Sequence, residues 1–587
     1  MSRFTAANNP SKTSLLPSHA SQNNDIHSGF HSNSTSSLSG HSSLAEKYSL
    51  SASPAAWGAP LLMDHAEDDD ALHNPDPRRD RRNDGGGTIF TARGCANVGC
   101  LIILVLGIMM LFAGMSWLSK PLGYPMLSHF TEIKPTAQGG FNLGGINASG
   151  QIPDFVGNRG PIDKDTPRSA YRRNTYLDEE EWVLVFSDEF NTDGRTFWPG
   201  DDPYWEAVDL HYWGTNDLEW YDPHQATTRD GALQIRLDEV PRAERASNHD
   251  MQFKSAMVQS WNKFCFTGGI LEASVRLPGS SEISGLWPAV WSMGNLGRAG
   301  FGATNDGLWP FSYDSCDVGT LPNQTYPGTQ TPAAALVNGD PANGNVLSYL
   351  PGQRLSACTC PGESHPGPVR RNGDYVGRSA PEIDVIEATV HEGIGYAGYR
   401  TNDVVGATVF YDPDITVQND YRGGAYQQTT SGLGMTNQSC YELTGGCFTT
   451  YGFEYRPGFD EGYITWFNNN ERAWSIFSSA MVADELTEID RRPFPFEPMY
   501  IILNLGISPN FGAIDFEQLT FPSTMSVDYV RVYQHPDRIN VGCDPVDFPT
   551  SAYIETYKEA YTNPNLTTWE QFEQPWPKNR LMPGGCD

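Results

Sequence analysis

Between residues 182 and 540, short runs of β-branched and aromatic residues recur between turn residues, at 182–186, 232–237, 269–277, 406–411, 463–467, 500–505 and 527–533. Their apolar positions alternate with period two instead of recurring every 3.6 residues, so they predict strands. With no internal repeat and no long helical pattern, they predict an all-β sandwich or jelly roll over about 179–540. Helices are expected to be local and short, for instance at 483–490.

Upstream the pattern changes twice. Residues 97–118 form an almost unbroken apolar run with Leu101, Ile102, Ile103, Leu104, Val105 and Leu106 at its heart, and no charge falls between Arg93 and Lys120. At about 1.5 Å per residue such a run crosses a hydrocarbon core of about 30 Å. A cleaved signal peptide would be shorter and nearer the start, and a core helix would carry more polar interruptions. Arg78, Arg79, Arg81, Arg82 and Arg93 precede the run, whereas only Lys120 and Lys134 follow closely. This asymmetry predicts a type II signal anchor with the C-terminal bulk in the secretory lumen or outside the cell, in the ER, Golgi or plasma membrane. Residues 11–53 hold fifteen Ser and no apolar period, which predicts a disordered cytosolic tail over 1–92. Residues 119–178, rich in Gly, Pro and Asn, read as a stalk that can pack on the next unit.

Composition sharpens this division. The 587 residues carry 39 Lys plus Arg against 70 Asp plus Glu, a net charge of -31. A chain this acidic is a poor partner for nucleic acid. Eight cysteines follow the apolar run (Cys265, Cys316, Cys358, Cys360, Cys440, Cys447, Cys543 and Cys586), an even number suited to disulfides in an oxidising compartment. Zinc ligation by Cys358 and Cys360 lacks a second pair at ligand spacing. Sequons at Asn147, Asn323, Asn437 and Asn565 fit a lumenal glycoprotein.

The segment richest in candidate chemistry is Glu382-Ile383-Asp384-Val385-Ile386-Glu387. Three acids within an apolar run need a cleft to face. On a strand Glu382 and Asp384 share a face, but Glu387 falls on the other unless a β-bulge adds one residue. The two glutamates would then stand about 13 Å apart along the backbone. Side chains leaning together could bring the carboxyls to the roughly 5–5.5 Å of a retaining glycosidase pair. A solvent-exposed or cation-binding acidic face is the alternative, and an EF-hand reading lacks its spacing.

These residues resemble the ExDxxE signature of glycoside hydrolase family 16, β-glucanases and transglycosylases with a concanavalin-like β-jelly-roll sandwich. The runs 285–291, 451–455 and 525–533 are similar to the family's neighbouring strands. The resemblance implies Glu382 as nucleophile, Asp384 as assisting acid and Glu387 as general acid/base, with no cofactor or metal. It covers about 180–535, and its main departure is an insertion at about 294–378. Residues 541–587 form a C-terminal extension. Trp287, Trp291, Trp213 and Trp220 are candidate sugar-stacking residues, each weighed against a place in the core.

The arrangement of tail, anchor and acidic family 16 domain resembles the fungal β-glucan-synthesis-associated membrane proteins. That resemblance implies work on cell-wall β-1,6-glucan, with β-1,3- or β-1,6-glucan, the bilayer and other wall-synthesis proteins as partners. Two functions follow: a retaining β-glucan hydrolase or transglycosylase, and a non-catalytic glucan-binding scaffold in which the insertion blocks chemistry.

Overall fold

A computed structural model of the chain describes residues 160–587 except 392–393, 402–407, 422 and 429. The expected tail, the apolar run 97–118 and Asn147 lie outside the described residues. Among the described residues no helix is long and apolar enough to cross a membrane.

Seven strands organise the site: β1 (Glu219–Tyr221), β2 (Met257–Gln259), β3 (Trp287–Gly294), β4 (Glu382–His391), β5 (Ile394–Thr401), β6 (Tyr463–Asn468) and β7 (Met499–Gly506). Among the described residues an eight-stranded antiparallel sheet runs Thr416–Gln418, Thr430–Met435, β5, β4, β3, β7, β2, Glu206–Ala207. A 13-stranded sheet includes β1 and β6, with Gly269–Arg276 between Thr449–Arg456 and Ser523–Gln534 at its centre. Neighbours this distant in sequence give the crossed connections of a jelly-roll-like sandwich. All seven predicted runs contain strands. The expected helix at 483–490 is instead a turn closed by the Asp484–Ile489 bridge; Asp484 Oδ1 accepts from the backbone N–H of Leu486 and holds the turn.

The core between the sheets takes alternate residues of each strand. β7 contributes Met499, Ile501, Leu503 and Leu505, and β4 contributes Ile383, Val385, Ile386, Ala388 and Val390. The intervening β7 residues Tyr500 and Ile502 are also buried, because a second apolar layer covers part of the eight-stranded sheet. That layer joins Trp291 and Met293 of β3 to Leu308 and Leu355 of the insertion and to Tyr553 and Trp569 of the C-terminal extension. Burial on both faces explains why β7 reads as a continuous apolar run.

Four disulfides pair all eight cysteines after the apolar run: Cys265–Cys543, Cys316–Cys358, Cys360–Cys586 and Cys440–Cys447. Cys358 and Cys360 thus take separate partners, and Cys360–Cys586 ties insertion to extension. The last part of the expected stalk packs on the sandwich, since Arg172–Asn174 pairs with Glu181–Asp188 and Tyr176 stacks on Phe467.

Candidate active site

The register of β4 against β3 puts Glu382 opposite Met293, Asp384 opposite Trp291 and Glu387 opposite Ala289, with a shift between Val290 and Trp291. Val385 is the extra residue. Val385 and Ile386 both face the core, so Glu387 returns to the face of Glu382 and Asp384. The bulge anticipated from spacing alone is present. It takes the Asp384 carbonyl out of the regular ladder, and the indole N–H of the fully buried Trp466 on β6 donates to that oxygen at 2.7 Å. The opposite sheet therefore helps hold the bulge in place.

All three acids line one cleft of about 390 Å³ on the outer face of the eight-stranded sheet. Asp384 and Glu387 are buried, and Glu382 is half-buried. Trp287 lines the cleft, stacks on Phe511 at 4.0 Å and donates to Glu387 Oε1 at 3.0 Å. Trp291 lines it too and donates to Asn504 Oδ1 at 2.7 Å. Trp213 stands at the cleft with its ring half exposed. Trp220 does not line it: its N–H bonds Asp209 and its ring lies 3.5 Å from that of His249. Strand alternation explains this, since its β1 neighbours Glu219 and Tyr221 are the residues turned inward.

The opposite wall was not legible in the motif. Asn305, Asp306, Trp309, Leu350 and Pro351 of the insertion line the cleft together with Thr567 and Thr568 of the extension. Trp309 Nε1–H donates to Glu382 Oε2. The insertion leaves the cleft open and builds one of its sides. Among the described lining residues there are five carboxylates and no Lys or Arg, a surface that repels anionic ligands and suits a neutral one.

A second acidic pair sits at the Trp213 end. Asp217 lines the cleft, and its Oδ2 accepts from Tyr221 OH at 3.3 Å. Tyr221 in turn accepts from Asn504 Nδ2 at 3.2 Å, linking the pair to Trp291. Burial pushes Asp217 up to about 6, and burial together with Asp217 pushes the fully buried Glu219 well above the usual carboxylate range. Gly506 leaves room for them, since a Cβ there would lie 3.1 Å from Glu219 Oε1. Both folded pKa values lie above the unfolded ones, so the pair contributes most below about pH 4 and stability falls as pH rises. Asp217→Asn is expected to flatten the fall between about pH 4 and 6, an effect of at most about 3 kcal/mol. Thermal unfolding of both proteins across that window measures it.

An antiparallel jelly-roll-like sandwich with an open, acid- and indole-lined cleft on one face is the class of protein that this geometry defines. The chain belongs to the β-glucan synthesis-associated family: the model for "Beta-glucan synthesis-associated protein SKN1/KRE6/Sbg1" matches residues 59–586, a span that includes the insertion and most of the extension. Beta-glucan synthesis-associated protein KRE6 of Candida albicans is 39% identical, over 99% of this chain and 76% of that protein. The protein of the same name from Saccharomyces cerevisiae (strain ATCC 204508 / S288c) is 40% identical, over 90% of this chain and 70% of its own. Among solved structures, an endo-β-1,3-glucanase from Pyrococcus furiosus aligns at 17% identity and a TM-score of 0.36, covering 63% of this chain and 98% of that one.

Proposed function

We propose that the protein is a retaining β-glucan glycosidase or transglycosylase acting in cell-wall β-1,6-glucan synthesis. The observation that carries this reading is the bulge at Val385, which turns Glu382, Asp384 and Glu387 into one open cleft. A bulge that re-aims one carboxylate toward two others has no use in a solvent-facing strand. The family's name, synthesis-associated, fits transfer at least as well as degradation.

In the proposed reaction an oxygen of Glu382 bonds to the anomeric carbon as the glycosidic C–O bond breaks, and Glu387 gives its proton to the departing oxygen. Water, or a hydroxyl of a second glucan, then attacks the same carbon. It returns its proton to Glu387 and frees Glu382. Asp384, between the two on the same face, assists the nucleophile. Trp213, Trp287 and Trp291 offer rings to sugar faces. The five carboxylates that line the cleft disfavour an anionic ligand and support a neutral polysaccharide.

The test incubates the protein with β-1,3- and β-1,6-linked gluco-oligosaccharides and follows product sizes and a covalent glycosyl-protein adduct by mass spectrometry. New products and an adduct on Glu382 are expected. Binding with neither would favour the non-catalytic scaffold, the reading in which Trp309 of the insertion stands against Glu382 to block it.

We also propose that the domain lies on the lumenal or outer side of a secretory membrane, anchored by 97–118 as a type II protein. Four disulfides and the exposure of Asn323, Asn437 and Asn565 support this side. Protease added to sealed microsomes is expected to remove only the N-terminal tail, and an N-glycan-removing enzyme to increase the gel mobility of the protected remainder. Loss of the domain to the protease would reverse the orientation.

A further inference from the structure

The wall contributed by the insertion reaches the acidic cluster directly: the indole N–H of Trp309 donates to Glu382 Oε2. The loop bearing Trp309 is fixed from several directions. The backbone N–H of Trp309 donates to Asn305 O at 2.9 Å, and Leu308 O accepts from Ala380 N at 2.9 Å, two residues before Glu382. Gly307 has φ +76°, and a Cβ there would meet Trp576 of the extension at 2.5 Å and Arg354 Cβ at 2.8 Å. The Arg354 guanidinium lies 3.6 Å from the centre of the Trp569 ring and bonds the carbonyls of Ala303 and Thr304, just ahead of this loop. Asp306 Oδ2 accepts from Trp569 N at 2.8 Å. The backbone of the loop that carries this indole is thus held by two segments far apart in sequence.

We propose that Trp309 is a positioning residue: its N–H holds Glu382 Oε2, so that the other oxygen, Oε1, is presented to the anomeric carbon, and the insertion thereby controls both formation and breakdown of the glycosyl-enzyme. The proposal rests on the assignment of Glu382 as nucleophile. In the adduct, Oε1 carries the sugar and Oε2 is the ester carbonyl oxygen. The N–H then faces the oxygen that gains charge as the carboxylate departs, so breakdown draws on it electrostatically, whereas formation draws on it only for the orientation of Glu382.

The test starts from the full-length protein with an oligosaccharide on which an adduct has been detected. If none forms, the Glu382 assignment itself fails and the positioning role falls with it. Where an adduct forms, Trp309→Phe keeps the ring and removes the donor. Its kcat is expected to fall roughly 10- to 100-fold, the usual weight of one hydrogen bond to a charged group, and the adduct lifetime to lengthen by a similar factor, with KM within about twofold. A purely structural role would raise KM or lower the unfolding temperature without lengthening the adduct lifetime. Trp309→Gln and Trp309→Leu add a pair of similar size that differs in the donor, and Gln is expected to outpace Leu. Unchanged kcat in Trp309→Phe, equal rates in Gln and Leu, or a gain of activity would each overturn the proposal, the last by making Trp309 a brake.

Discussion

Glu382→Gln is expected to lower kcat on β-glucan oligosaccharides by roughly 10⁴- to 10⁶-fold, the loss seen when a covalent nucleophile is removed, while oligosaccharide binding survives. The amide is nearly isosteric with the carboxylate and still offers an oxygen to the Trp309 N–H, so the cleft keeps its shape. What it cannot do is form the glycosyl ester. Glu387→Gln separates the roles. With a natural sugar leaving group it should also be slow, because no proton reaches the departing oxygen. With a glucoside carrying an activated aryl leaving group, which needs no protonation, adduct formation should recover while breakdown by water stays slow, so the adduct accumulates. The same substrate with Glu382→Gln should give no adduct. Rapid-quench kinetics with mass spectrometry of the intact protein distinguishes the variants. An adduct in Glu382→Gln would show that another residue is the nucleophile.

The largest expected effect on stability is at Arg378. Its side chain is fully buried where the insertion ends, four residues before Glu382. Nε and Nη2 donate to the two oxygens of Glu497 at 2.7 and 2.8 Å, and Nη1 donates to the carbonyls of Gly367 and Pro549, both at 2.8 Å. Glu497 also accepts from the backbone N–H of Ser379. One guanidinium thus joins the insertion, the approach to β7 and the extension. Arg378→Met would strand a buried carboxylate and is expected to cost about 3–5 kcal/mol. Removing both charges, as Arg378→Met with Glu497→Leu, should recover much of the loss, because the desolvation cost of the pair disappears with its attraction. Denaturant unfolding of the two single variants and the double variant reads the coupling. A double variant no more stable than the singles would place the importance of Arg378 in its carbonyl bonds to Gly367 and Pro549.

Strands were readable in the sequence where one face is core and the other is not, as in 232–237, where Leu233, Ile235 and Leu237 are buried in the core and Gln234 and Arg236 are turned away from it. The bulge was readable because Glu382 and Glu387 are five residues apart, which on a regular strand would bury one of them. The far wall was not. Trp309, Asp306 and Thr567 lie in segments with neither strand nor helix periodicity, and what brings them to the cleft is long-range: the Cys360–Cys586 bond and the packing of Arg354 on Trp569. Eight cysteines allow many pairings, so spacing could not supply those contacts. Trp220 misled for a different reason. Its neighbours in β1 reach the cleft network, and a one-residue step along a strand exchanges faces.

The Cys360–Cys586 link also bears on the order in which the molecule is made. Its two halves are 226 residues apart in the chain, and the three carboxylates, Trp309 and all of β7 emerge from the ribosome before Cys586 does. During synthesis the sandwich can therefore form with its acidic cleft open on one flank and the Cys360 thiol waiting. Thr567 and Thr568 reach the groove only as the extension settles. That flank is therefore the last part of the groove to be completed, and a chain interrupted before residue 541 would carry the carboxylates and Trp309 without Thr567 and Thr568.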